Sequence, residues 1–491
     1  MPQTRQWTIS SFWRKSSNKA VKQKTLHCYH YAVLALVFLT PLFSLADDDL
    51  QDNTSQFPPH ETPAKFVSLA LTKPLALDEA IDLALQRNPD LHIANERIAS
   101  AEAQFGETLA AFYPQIKARL AYQYSDNPSH AFGMIVSQRR FDFASQDINR
   151  PGGTTDFRPE VIGTISLFRG GQDYHRSKTA ELGIEISSLQ RSTIRNNLVQ
   201  AVTDSFYALL VAQENKTIAL RSIDAISREL EHTRIRFEGG TVLKSDVLSL
   251  KVQLASAQEA EIRAQNAIEM SRMVMRTLLD LTPTSPVETV RSKNIELPTL
   301  DRAFSEMLAQ AKTERPEIQT TLRQTQTRRQ QLDIARGEHL PRVDAFINYG
   351  LNREKVGFSS EQDNLTAGVA MEMDLFSGFG TQQRIHKAER DLSEAQETER
   401  KVRLQITQEV KNAYLALKEA LQRLKVTETS VAASEEALRL VTEQHQAGTI
   451  TVTRFIEAQA ARDQANARTV AARYDTFRAD AALNRAMGAW K

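Results

Sequence analysis

The side chains most able to hold a metal or drive nucleophilic chemistry are ten histidines and one cysteine, and their spacing serves neither purpose. His27 and His30 precede Ala46, and the eight histidines that follow never stand three or four positions apart. That spacing is what sets two imidazoles on one helical face around a zinc ion. No Cys-x-x-Cys, His-Glu-x-x-His, Gly-x-Ser-x-Gly or P-loop pattern occurs. The Leu-Phe-x-Gly turn at Leu167-Phe168-Arg169-Gly170 lacks the Lys-Ser/Thr that a phosphate loop requires. His92 and His386 each stand alone in helical pattern and read as structural or solvated residues. The dense Glu, Asp and Arg read as a solvated helix face laced with i, i+4 pairs. Lys+Arg is 61 against Asp+Glu 60, so the basic excess of a nucleic-acid binder is missing. The residues therefore predict no enzyme, no metal site, no cofactor and no nucleic-acid partner.

The elements that would position any site are more telling. Two stretches, Gly171 to Gly240 and Gly380 to Gly448, are rich in Ala, Gln, Glu, Arg and Leu and contain no proline. Each follows an apolar run ending in glycine, and each closes on Gly-Thr, at Gly240-Thr241 and Gly448-Thr449. Phe168 to Gly240 spans 72 positions, and so does Phe376 to Gly448. An offset of 208 also pairs Val202 with Val410, Ala208 with Ala416 and Leu209 with Leu417. This is a tandem duplication built on two helices of roughly 100 Å at 1.5 Å per residue. Their apolar positions form a narrow stripe with steps of three and four: Leu182, Ile186, Leu189, Leu198, Val202, Phe206, Leu209, Leu220, Ile223, Ile226, Leu230. Returning helices are expected over Thr241 to Asp280, with Leu243, Val247, Leu250 and Leu254 on one face, and over Thr451 to Gly488.

Residues 1–46 carry six basic residues and no acid, then the apolar run Tyr31 to Leu45 before Ser44-Leu45-Ala46. This is the layout of a secretory signal peptide, cut after Ala46. Cys28 lies upstream of that run, so the expected mature chain has no thiol and no lipid anchor. Residues 47–74 read as an extended, proline-bearing lead-in. A first repeat is expected over 75–280, a linker over 281–299 and a second repeat over 300–491.

Within each repeat a short helix breaks at Xaa-Pro, first at Asn88-Pro89 and again at Arg315-Pro316. A second helix follows, to about Phe112 in one copy and about Glu338 in the other. The period then changes from 3.6 to 2. Ile116, Ala118, Leu120, Tyr122 and Tyr124 alternate with polar residues, and so do Val343, Ala345, Ile347, Tyr349 and Leu351. Leu365, Ala367, Val369, Met371, Met373 and Leu375 form a third set, and Val161, Gly163, Ile165 and Leu167 a weaker fourth. Alternation over ~9–11 residues suits a transmembrane β-strand. A half-buried soluble sheet alternates in the same way. Tyrosines near the ends of two apolar faces, and a polar loop over Asp126 to Pro159, favour the membrane. Four strands cannot close a barrel, and open edges are not tolerated in lipid, so several chains must share one. The pairing offset falls from 227 to 208 between Pro89/Pro316 and Phe168/Phe376, so the first copy holds nineteen extra residues near that loop.

These features together resemble the TolC family of outer-membrane efflux proteins, from about Leu77 to Trp490. Asp78-Glu79-Ala80 and Asp301-Arg302-Ala303, Tyr113-Pro114 and Leu340-Pro341, and the two glycine tips carry the resemblance in matching order. It implies a mainly helical homotrimer with a membrane β-barrel, four strands and four long helices per chain, and an equatorial belt of shorter elements. It implies a passive exit duct in the outer membrane with a periplasmic helical extension. The implied partners are a periplasmic adaptor, an inner-membrane pump of RND or ABC type, and outer-membrane lipid. In the family the tips near Gly240 and Gly448 close the periplasmic entrance. An acid six positions after the tip glycine is typical. Asp246 supplies it in the first copy, Arg454 replaces it in the second, and Glu457 matches a further family acid. His445 stands where the family often has tyrosine. The resemblance thus implies a gate of Gly240, Asp246, His445, Gly448, Arg454 and Glu457. The competing reading is a secreted coiled-coil tether or adhesin stalk spanning the periplasm.

Overall fold

The structure is a computed structural model that describes residues 74–290 and 296–490. The expected signal peptide and nearly all of the expected lead-in lie outside these described residues. The chain opens with α1 (Leu77–Arg87) and α2 (Pro89–Leu109), then β1 (Gln115–Ser125), α3 (Pro128–Ser137) and β2 (Thr154–Arg169). The long α4 (Gln172–Glu238) and its return α5 (Lys244–Leu278) follow. The second copy repeats this order without a counterpart of α3, as α6 (Phe304–Glu314), α7 (Pro316–Gly337), β3 (Arg342–Leu351), β4 (Asp363–Glu372), α8 (Gly380–Gln446) and α9 (Val452–Met487). Helices α4 and α8 each hold 67 residues, which makes each about 100 Å long.

The duplication reaches individual side chains. Val202 and Val410 are fully buried, as are Leu209 and Leu417. The two Xaa-Pro breaks share a role beyond ending a helix. Asn88 Nδ2 donates to the Leu278 carbonyl at 3.0 Å, and Arg315 Nη1 donates to the Ala486 carbonyl at 3.2 Å. Both carbonyls lie in the last turn of a returning helix, where intrahelical donors run out. The residue before each proline therefore ties the short helices to the end of the hairpin. Arg315 is buried and ion-paired with Glu317 at 2.8 Å and Glu409 at 3.0 Å. Burial disfavours its charge, but the two carboxylates outweigh that and raise its pKa.

The predicted stripe is buried only in part, with Leu182, Ile186, Leu189, Ile223 and Leu230 half-buried. Leu198, Val202, Phe206, Leu209 and Ile226 are buried, and Leu250 is buried on the returning helix. Two positions depart from it. Leu220 is 45% exposed. Leu243 is 70% exposed, because it is the cap residue outside α5 and not part of its face.

The sheet runs in the order β1-β2-β3-β4, antiparallel throughout. Its register puts the four apolar sets on one face, except that a bulge between Ser166 and Phe168 drops the expected Leu167 out and sets Phe168 opposite Val343. Ala118 pairs with Val161, Val161 with Tyr349, and Tyr349 with Leu365. Ile347 lies between Gly163 and Ala367, and Ala345 between Ile165 and Val369. Ile116, Leu120, Ile347, Leu365, Val369 and Met371 are exposed, a continuous apolar band that water would not tolerate. The opposite face is polar, with Arg119 bonded to Glu160 at 3.0 Å. Phe346 fills the space over Gly368 on that face, and a Cβ there would come within 2.8 Å of the ring. β4 ends at Glu372, short of the expected Leu375.

The stretch expected as a polar loop is partly ordered. β2 begins inside it, at Thr154, and α3 occupies Pro128–Ser137. The Asn127 side chain caps α3 by accepting from the Ser129 amide at 3.1 Å, and Pro128 fits its first turn. Ala131, Met134 and Ile135 bury the inner side of that helix.

Candidate site at the helical tips

Both long helices end by the same device. Gly240 and Gly448 have φ of +73° and +74°, a left-handed conformation that glycine adopts without steric cost. The next residue then folds back. The Thr241 amide and hydroxyl both donate to the Arg236 carbonyl at 2.9 Å. The Thr449 amide and hydroxyl donate to the Gln444 carbonyl at 3.0 and 2.9 Å. The Gly-Thr pairs are thus helix terminators, which is why they recur at equal spacing.

The acid six positions on has an equally local task. Asp246 is the third residue of α5, and its Oδ2 accepts from the Leu243 amide at 3.2 Å. A carboxylate there also suits the helix dipole. Arg454 holds the same place in α9 and cannot cap it. It pairs instead with Glu457, one turn on, at 3.1 Å, with both side chains exposed.

His445 behaves differently. It is buried, its ring is stacked on Phe455 at 5.8 Å, and its Nε2 lies 2.9 Å from Oε1 of Glu229 on α4. Its Nδ1 faces the Ile450 carbonyl at 3.3 Å. Glu229 also accepts from the Thr233 hydroxyl at 3.2 Å. Beneath this pair lies an apolar cluster of Ile226, Leu250, Ala257, Val452 and Phe455, drawn from α4, α5 and α9. Within one chain, then, the six predicted tip residues do not converge. Asp246 serves its own helix, Arg454 and Glu457 serve each other, and His445 reaches the other repeat. Sequence reading missed Glu229, whose partner is 216 positions away. No local pattern marks it.

A second charged zone of about 440 Å³ lies where the sheet meets the helices, lined by Arg169, Arg342, Arg384, Glu338 and Glu372 among others. It bounds the apolar band from below. Among the described residues no cluster of His, Cys, Asp or Glu could hold a metal, and no helix is long and apolar enough to cross a membrane.

The family profile described as "Outer membrane efflux protein" matches residues 80–279 and 307–489, one block for each repeat. The cobalt-zinc-cadmium resistance protein CzcC of Cupriavidus metallidurans is 22% identical over 93% of this chain and 98% of its own. The outer membrane protein TolC of Vibrio cholerae is 22% identical over 84% of this chain and 90% of its own. The Campylobacter jejuni CmeC outer membrane channel has the same fold, with a TM-score of 0.72 and 16% identity over 84% of this chain and 85% of that one. None of these matches supports a tether or stalk. The apolar band of the sheet, the paired long helices and the two-block match agree, and the chain belongs to the outer membrane efflux protein family, as an exit duct of the outer membrane with a helical extension into the periplasm.

Proposed function

We propose that three copies of this chain close one barrel of about twelve strands and work as a passive conduit for an inner-membrane pump joined through a periplasmic adaptor. The observation that carries this reading is the sheet itself. It bears an apolar band on one face and leaves β1 and β4 as open edges. Neither edge is tolerable in hydrocarbon, and pairing β4 of one copy with β1 of the next removes both. The long helices follow β2 and β4 from the same end of the sheet, so three copies would project one helical tube. The chain would carry out no catalysis, and energy would come from the pump. Outer membranes extracted in mild detergent and run unheated on a denaturing gel should give a trimer that heat converts to monomer. Monomer alone before heating would overturn the trimer.

The same reading makes the tips the periplasmic entrance, with Gly240 and Gly448 setting the turns. His445 and Glu229 would hold the second hairpin against the first, and the exposed Arg454–Glu457 pair could exchange partners with Asp246 of a neighbouring copy. The exposure of Arg454 and Glu457 supports this, since an exposed pair is worth only ~0–1 kcal/mol and exchanges at little cost.

A further inference from the structure

The nineteen residues that the first repeat has in excess do not hang free of the sheet. Gln138, at the end of α3, is fully buried, and its Nε2 donates to the Thr155 carbonyl at 2.7 Å and to Asp156 Oδ1 at 3.0 Å. Asp156 is buried as well and accepts from Asn352 Nδ2 at 2.8 Å, and Asn364 donates to Asn352 at 2.7 Å. These residues share one face. Asp156 has the strand parity of Glu160, and Asn364 pairs with Gly350, which pairs with Glu160. That is the face opposite the apolar band. The segment therefore folds onto the inner side of the sheet at its outer end.

It also reaches across the sheet. Arg139 donates to the carbonyls of Glu361 and Asp363, both at 2.9 Å, beside the start of β4. Arg140 pairs with Glu354 at 3.0 Å, and Gln362 donates to the Gln138 carbonyl at 2.8 Å. A loop that leaves β1 is thus fastened at the far edge. Phe132, Phe141 and Phe143 continue from this base as a chain of edge-to-face rings, with centroids 5.0 and 4.7 Å apart. Phe143 at its end is 86% exposed. Arg139, Arg140 and Arg150 balance Asp126, Asp142 and Asp147, so the segment carries no net charge.

We infer that this segment narrows the outer mouth of the duct, with Phe141 and Phe143 lining the constriction and limiting permeants by size. The inference rests on the duct and trimer proposed above. A pore-lining side chain changes flow when its bulk changes, and a neutral constriction changes flow without changing ion preference.

Phe143→Cys tests it cleanly, because Cys28 is the only native cysteine and lies in the expected signal peptide. Trimer is first scored on the unheated gel, so failure of the trimer reading shows as lost trimer. The trimer is then inserted in a planar bilayer, and a bulky thiol reagent is added on the barrel side. Single-channel conductance should fall severalfold with an unchanged reversal potential, and Phe143→Ala should raise conductance. A trimer labelled to completion by mass spectrometry that conducts as before, with Phe143→Ala equal to wild type, would overturn the inference.

Discussion

Nε2 of His445 lies 2.9 Å from Oε1 of Glu229, joining the end of α8 to α4. The ring's other nitrogen faces the Ile450 carbonyl at 3.3 Å, so both nitrogens meet acceptors. The pair sits on the apolar cluster that joins the hairpins, so the second helical tip is tied to the packing beneath it.

Glu229→Gln keeps the shape and removes the charge, while His445→Phe keeps the ring stack and removes the donor. Each should lose a charge-assisted bond of about 1.5–3 kcal/mol. Amide exchange in peptides spanning 436–456 should speed up in both variants. The double variant should be less affected than the sum, as expected of residues that touch. Exchange equal to wild type in both variants would refute the coupling.

Arg454 is the place where the two tips differ. Arg454→Asp should cap α9 as Asp246 caps α5, and three new acids at the entrance should move ion preference towards cations. Arg454→Ala and Asp246→Ala should each raise conductance. Wild-type conductance and selectivity in all three variants would place the gate elsewhere.

The faces of the sheet are testable by charge. Arg in place of Val369 or Ile347 should cost ~2–4 kcal/mol per chain at mid-bilayer depth and reduce heat-modifiable trimer. Arg in place of Asn348, on the opposite face, should leave far more trimer. Gly368 is a poor control despite sharing that face, because Phe346 occupies its space. Equal loss at both faces would contradict the register reading.

Asp480, half-buried in the helical region, gives a pH signature. Burial holds its carboxyl above the usual carboxylate range, against a hydrogen bond from Asn484 that lowers it. The folded form therefore binds this proton more tightly than the unfolded chain does. Its stabilising effect is full below the ordinary carboxylate pKa and is lost as pH rises through the raised folded value. Asp480→Asn should raise the Tm at neutral pH and change it little near about pH 3. An equal shift at both pH values would rule out the carboxyl as the cause.

What was legible in the sequence was what repeats locally. The two 67-residue helices, the alternating strands and the Gly-Thr tips each announce themselves within a few turns or pleats. The capping task of Asp246 was not legible, because the expected helix began at Thr241 and the observed one begins at Lys244. Long-range partners were not legible either. Nothing near Asn88 or Arg315 says that each meets a carbonyl of a helix ending far along the chain, and nothing near Glu229 points to His445. Helix α3 was missed for a different reason. Its ten residues lie among polar flanks, and its Asn-Pro start and three core residues, Ala131, Met134 and Ile135, are weak signals alone.

The central claim is that this chain forms a water-filled duct, and the most direct measurement is single-channel recording of the detergent-purified trimer in a planar bilayer. Insertion from one side should give discrete, uniform conductance steps that persist without any nucleotide or proton gradient. Arg454→Ala and Phe143→Ala should enlarge those steps from opposite ends of the same path. A trimer that inserts stably, yet passes no current above the bare bilayer in wild type and in both variants, would contradict the account.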